Sequence, residues 1–174
     1  MVNLIYIFWM YIILFAVIGA MRGWAKELLV SFSVILALAL NYLLRKYAPM
    51  ISTLPANDVS FFWIRVWITV ALVYFGYQTV ASISALSGKA RKEKLQDALF
   101  GAVMGGVNGY LIVGTLWAYL HEANYPFQEI FNMANADMDA IGNMMTWMPP
   151  YVLGEPGIYF AVIISFIFII VVYV

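Results

Sequence analysis

The sequence predicts an all-α integral membrane protein, a bundle of four to five transmembrane helices with an amphipathic helix on the extracytoplasmic side. Three observations carry this expectation. Of 174 residues, 65% are hydrophobic and 10% charged, with a mean hydropathy of +0.90; soluble domains are about 45–50% apolar and about 25% charged. The apolar residues gather into five long runs almost free of charge. The basic residues crowd into particular connectors between those runs rather than being spread evenly. Composition also excludes some chemistry. The chain has no cysteine, so disulfides, Fe–S clusters and thiolate zinc sites are ruled out, and a single histidine, His121, rules out a multi-histidine metal site.

The first run, Leu4–Met21, holds 18 residues without a charge, enough for a helix crossing about 30 Å of hydrocarbon. A cleaved signal peptide is the alternative, but no basic segment precedes the run and a second apolar run follows at once, so it reads as a retained span. Leu28–Leu44 is the second span. The connector between them, Arg22-Gly23-Trp24-Ala25-Lys26-Glu27, is short enough to demand an antiparallel hairpin. Phe61–Ser82 is the third span and contains Arg65. Ala98–Leu120 is the fourth and is glycine-rich, and Gly157–Val174 is a fifth. Pro49 and Pro55 mark a turn-rich second connector, and Ser84–Gln96 a solvated basic loop.

Lys and Arg near span ends set orientation. Connectors 1 and 3 hold Arg22, Lys26, Lys89, Arg91, Lys92 and Lys94, whereas connectors 2 and 4 hold only Arg45 and Lys46. The expected topology is a bacterial inner-membrane protein with the N-terminus outside and the C-terminus cytoplasmic. The fourth connector, His121–Pro156, has acids but no Lys or Arg and is expected outside.

In span 4, Gly101, Gly105 and Gly109 recur every four residues and fall on one helix face, where small residues let two backbones approach closely. Ordinary packing within the chain is the bland reading; a docking face for another protein or a flat ligand is the functional one. Asn108 on the adjoining stripe can form an interhelical hydrogen bond of about 1 kcal/mol. Asp97 sits where a carboxylate can cap free N–H groups and meet the helix dipole. Arg22, Gly23, Glu27 and Asp97 all fall at the cytoplasmic boundary, and an Arg22–Asp97 contact is expected to hold spans 1 and 4 in register.

These residues carry a resemblance. Gly19-Ala20-Met21-Arg22-Gly23-Trp24-Ala25-Lys26-Glu27-Leu28 resembles the G-x-x-R-G-[aromatic]-x-[RK]-E-[LA] segment that opens the colicin V production protein (CvpA-like) family. Asp97-x-x-x-Gly101-x-x-x-Gly105-x-x-x-Gly109, followed by Tyr110-Leu111-Ile112-Val113, is similar to that family's second hallmark. The matches reach across roughly residues 1–120. The chain departs in two ways: Asn108 stands where the family usually carries a basic residue, and a fifth span is added to the usual four. The resemblance implies a four-span membrane domain over 1–120 and a bacterial inner-membrane location. It also implies a link to colicin production and envelope homeostasis, and no established reaction. Residues 121–156 then form an extracytoplasmic loop and 157–174 the added helix.

Arg65 lies about one turn inside the outer end of span 3. Intramembrane charge is costly and points to function by default, but a side chain this near the boundary can snorkel outward. No partner acid is visible in mid-membrane. His121, beside Glu122, is a candidate haem-iron or chlorin-magnesium ligand, with a hydrogen-bonded interfacial residue as the bland reading. Arg65 and His121 are thus the candidate ligand or ion contacts.

In the fourth connector, Phe127, Ile130, Phe131, Ala134, Met138, Ile141, Met145 and Met148 recur at spacings of three and four. Pro126 suits the first turn of such a helix and Pro149-Pro150 its end. An acidic helix gains nothing from anionic lipid. Its methionine-rich side is therefore expected to lie along the outer surface, packed on the protein's own spans or on a partner. Phe127, Ile130, Phe131, Met138, Ile141 and Met145 are the candidate partner-facing residues. Trp9, Trp24, Trp63, Trp67, Trp117 and Trp147 are expected mostly in a lipid-anchoring belt.

The expected function is a non-enzymatic scaffold or accessory subunit of a larger membrane complex, respiratory or photosynthetic, or one serving envelope homeostasis. It would act through helix contacts with other subunits or with itself. A small channel or transporter is the alternative, although no inverted repeat or proline-broken pair of spans is present. No nucleophile motif or mid-membrane carboxylate pair supports an enzyme. No metal or cofactor is expected, with a non-covalent pigment, quinone or lipid left open. The basic loop reads as a lipid or topology signal rather than a nucleic-acid site.

Overall fold

The computed structural model describes residues 4–83, 94–127 and 137–173. Every regular element among them is a helix: α1 (Leu4–Arg22), α2 (Trp24–Tyr47), α3 (Pro49–Ser52), α4 (Val59–Ile83), α5 (Lys94–Glu122), α6 (Met138–Met145), α7 (Pro149–Val152) and α8 (Gly157–Tyr173). Four of these, α1, α2, α4 and α5, are long and apolar enough to cross a membrane. At 17 residues α8 is shorter, about 25 Å at 1.5 Å per residue. The basic residues Lys89, Arg91 and Lys92 lie outside the described residues.

The four long helices alternate in direction along the chain, so α2 and α5 run parallel, with α1 and α4 antiparallel to them. A single residue, Gly23, separates α1 from α2, at φ +89°. That backbone is open to glycine and strained for other residues. The expected hairpin thus forms, but its arms do not stay together: beyond the turn α1 packs chiefly on α5, and α2 packs on α4, α5 and α8. The reason lies in shape. In lipid, apolar surfaces have no solvent drive to meet and close backbone approach decides which helices pair.

α1 and α5 meet backbone to backbone. A Cβ added to Gly19 would stand 2.7 Å from Gly105 Cα, and one on Gly105 would stand 2.8 Å from Gly19 Cα and overlap the Phe15 carbonyl oxygen. A Cβ on Gly101 would overlap the Gly19 carbonyl oxygen, and one on Gly109 would stand 3.0 Å from Ile12 Cα. The glycine face of α5 is therefore filled by the chain's own first helix.

The core lies toward the Glu122 end. Phe8 of α1, Leu38 of α2, Phe62 of α4 and Trp117 to Leu120 of α5 are joined there by Ile141, Met145, Met148 and Ile158. The described part of the fourth connector around Ile141 to Pro149 therefore packs into the bundle. Met148 and Pro149 are buried and seat against Gly114, where a Cβ would stand 2.8 Å from Pro149 Cδ. The amphipathic helix is correspondingly short. Asp137 caps it, its Oδ1 accepting from the Ala140 N–H at 3.0 Å. Ile141 and Met145 turn to this chain's own core, and Phe127 packs edge-on against Phe62 and Trp63. Of the described candidates for a partner, Met138 faces outward. Ile130 and Phe131 lie outside the described residues. Trp117 also departs from the expected belt: it is buried, its Nε1 donating to the Tyr125 hydroxyl at 3.2 Å.

Next to this core α8 is clamped to α2. Lys46 donates to Glu155 Oε1 at 2.6 Å, the Tyr42 hydroxyl donates to Glu155 Oε2, and Tyr159 reaches Oε1 at 3.4 Å. The hydrogen bonds from Lys46 and Tyr42 hold the Glu155 carboxyl below its ordinary value of 4.5. A carboxyl whose folded value is depressed contributes stability above its unfolded value, and the contribution is lost as pH falls through the folded one. Protection of the α8 amides from hydrogen exchange should therefore hold from neutral pH down to about 4.5 and fall below it. Glu155→Gln should remove that pH dependence; an unchanged profile in the variant would show that the clamp does not hold α8.

Candidate functional site

The residues singled out at the Gly23 end come together as one buried polar cluster. Glu27, in the first turn of α2, is 0% exposed. Its Oε2 accepts from Asn108 Nδ2 at 2.7 Å, and the same amide nitrogen donates to the Glu27 carbonyl at 2.9 Å. Asn108 Oδ1 in turn accepts from the Ser31 hydroxyl at 2.6 Å. Arg22 Nη1 lies 3.0 Å from Glu27 Oε1, an ion pair whose approach is not aligned as a hydrogen bond. The Arg22 guanidinium lies over the Tyr77 ring, 4.3 Å from its centroid, so α4 closes the cluster from a further side.

Asp97 does not pair with Arg22. Its carboxylate sits on the α1–α2 turn, Oδ1 accepting from the Trp24 N–H at 3.3 Å, and a Cβ on Gly23 would stand 2.6 Å from Oδ2. The reason is electrostatic and local: the first N–H groups of α2 have no intrahelical partner, and Gly23 has no side chain with which to cap them. A carboxylate carried by α5 supplies the cap and meets the positive end of the α2 dipole. Arg22, freed from Asp97, takes Glu27. The register of α1 and α5 is thus set by the glycine contact and by Asp97 on the turn.

A second polar cluster closes the opposite end. Arg65 is 5% exposed. It does not snorkel: its Nη1 pairs with Glu122 Oε2, and its guanidinium lies between the Phe61 and Tyr119 rings, 4.3 Å from each centroid. The partner acid comes from the last residue of α5, 57 positions away, which is why no local pattern indicated it. Behind Arg65, Asn41 Nδ2 reaches Thr69 Oγ1 at 3.3 Å and the Tyr119 hydroxyl at 3.2 Å. Loss of water around the Tyr151 hydroxyl, with the Glu122 carboxylate beside it, pushes Tyr151 up to about 12 and keeps it a donor. His121 Nδ1 meets the Tyr125 hydroxyl at 3.2 Å, so it joins the hydrogen-bonded rim of this cluster.

Asn41, Thr69 and Tyr119 were not singled out from the sequence. The available signal was Asn41, an amide within the apolar run Leu28–Leu44, since polar groups inside a span seek partners on other helices. Between the clusters, Thr115 is buried with no partner for its hydroxyl among the described residues. Asn108, Thr115, Tyr119 and Glu122 follow one another along α5 at spacings of seven, four and three, a single stripe toward α2 and α4.

The fold and these clusters define a polytopic helical membrane protein with, at each end of the bundle, an ion pair that has one buried member. The chain belongs to the colicin V production protein family, whose model matches residues 6–138. The match covers α1 to α5 and stops at the start of α6, so α8 lies beyond it. No curated protein and no solved structure matches the chain.

Proposed function

We propose that this protein is a non-enzymatic scaffold or accessory subunit of the bacterial inner membrane, acting through helix contacts with other membrane subunits. The observation that carries this reading is where the motif side chains point. Arg22, Glu27, Asp97 and Asn108 touch one another or the α1–α2 turn, and Gly19, Gly101 and Gly105 touch one another. The motif is spent on holding α1, α2 and α5 in one arrangement, which is what a rigid docking platform needs. With the glycine face covered by α1, a partner must use another apolar face, and beyond the family's matched region α8 offers one. Its Phe160, Ile163, Ile164, Ile167 and Val171 are exposed, and it packs chiefly on α2. The excess of Lys and Arg in connectors 1 and 3 supports a cytoplasmic Gly23 end, with the N-terminus outside.

The test is purification of tagged protein in mild detergent, with a photocrosslinking residue at Ile164 or, as control, at Gly106, which faces α1 beside the glycine contact. A stoichiometric membrane partner crosslinked from Ile164 and not from Gly106 is expected. A homo-oligomer without another subunit would overturn the accessory-subunit reading.

The polar stripe of α5 favours a second reading, a small channel or transporter, because polar residues within spans mark ion and proton paths. Val30, Val34, Leu111 and Ile112 pack together along the same interface, which weighs against continuous conduction. Ion flux in proteoliposomes abolished by Asn108→Leu in a folded protein would reverse the order of the two readings.

A further inference from the structure

Arg65 carries more donors than the lock at the Glu122 end uses. A guanidinium presents five N–H groups in a fixed plane. Phe61 and Tyr119 cover its two faces, and Glu122 takes Nη1. Nε and Nη2 are buried and have no hydrogen-bond partner among the described residues. These two nitrogens form one edge, with two N–H bonds side by side, the fork that matches two oxygens of a carboxylate or phosphate. Leaving a buried donor unmet forfeits its hydration with nothing in return, and folded proteins rarely leave two on one group.

A water molecule satisfies one donor well, whereas an oxyanion satisfies both in their own geometry. The local charge agrees. Arg45 lies against the same Phe61 ring, 4.7 Å from its centroid, and no carboxylate is within ion-pair distance of it among the described residues. Glu122 offsets Arg65 alone. The nearby Asp58 spends its Oδ1 on the Ser60 and Phe61 N–H groups at the start of α4. Arg65 stands six residues from the first residue of α4, about 9 Å along the axis, within reach of the headgroup layer that flanks the hydrocarbon.

We propose that the Nε–Nη2 edge of Arg65 is an oxyanion site that takes a phosphate or carboxylate group from the Glu122 face of the membrane. The two sources of such a group are a lipid headgroup and a soluble anion, and the experiment separates them. Purified full-length protein in delipidating detergent is titrated with phosphatidylglycerol and, separately, with inorganic phosphate. Bound lipid is counted by native mass spectrometry and the Arg65 Nε–H followed by ¹⁵N-arginine NMR. One lipid per chain with a shifted Nε–H is expected, weakened roughly tenfold in Arg65→Lys, which keeps the charge and loses the fork. Saturable binding of phosphate without lipid would support the site with a soluble source.

Saturable binding of neither probe, or equal binding by wild type and folded Arg65→Lys, would overturn the proposal. If Arg65→Lys does not fold, Arg45→Gln decides. Affinity lowered several-fold supports the site, and affinity unchanged overturns it.

Discussion

Gly105→Ala should sharply destabilise the protein, while Gly106→Ala, one residue away, should leave it unchanged or slightly more stable. The added methyl at position 105 would overlap the Phe15 carbonyl oxygen and press on Gly19 Cα at 2.8 Å, both backbone atoms of α1 that no rotamer change can move. Overpacking of a rigid contact costs about 1–3 kcal/mol and more when backbone must shift. The gain in helix propensity, about 1 kcal/mol at most, does not offset it. At Gly106 the nearest atom to the new methyl is Ala16 Cβ at 3.8 Å, an ordinary contact, so the propensity gain stands alone. Reversible unfolding in mixed micelles measures both. Equal effects at the two positions would mean that α1 and α5 do not meet backbone to backbone.

Breaking the Arg22–Glu27 pair should be the other large effect. Arg22→Ala leaves the wholly buried Glu27 carboxylate with Asn108 as its side-chain partner, and stranding one member of a buried pair costs about 3–5 kcal/mol. The doubly changed protein, Arg22→Met with Glu27→Gln, keeps the stem of residue 22 against Tyr77 and an oxygen for Asn108 to donate to, with no charge left buried. It should lose less than the sum of the two single changes, with a coupling of at least about 1 kcal/mol. Additive losses would show that the two charges do not act on each other, and the motif would then need another explanation.

Much of this architecture was legible along the chain, and the reasons are local. Leu4–Met21 reads as a retained span once its length, its lack of charge and the apolar run that follows it are taken together. The spacing of Gly101, Gly105 and Gly109 already states that some backbone must come close. Asp97 could be read as a cap because helix starts need one, although the helix it caps is α2 and not its own. Other features were not legible. Arg65 looked like a boundary residue turning to water because its acid is donated by the far end of another helix. The acidic connector showed an apolar side by its periodicity, but periodicity does not say whether this chain's own spans or a partner cover it.

Length, hydropathy and glycine spacing by themselves determined that this chain crosses a membrane as helices, roughly where the long ones lie, and that a close packing face exists on α5. The tertiary structure alone decided the pairing: α1 on α5, Glu27 with Arg22 and Asn108, Arg65 with Glu122, and Met148 and Pro149 inside the bundle. The division has a physical cause. Insertion depends on the free energy of each segment against lipid, a sum over its own residues, whereas pairing depends on shape and on satisfying buried polar groups. Those are properties of two helices at once, and no single segment carries them.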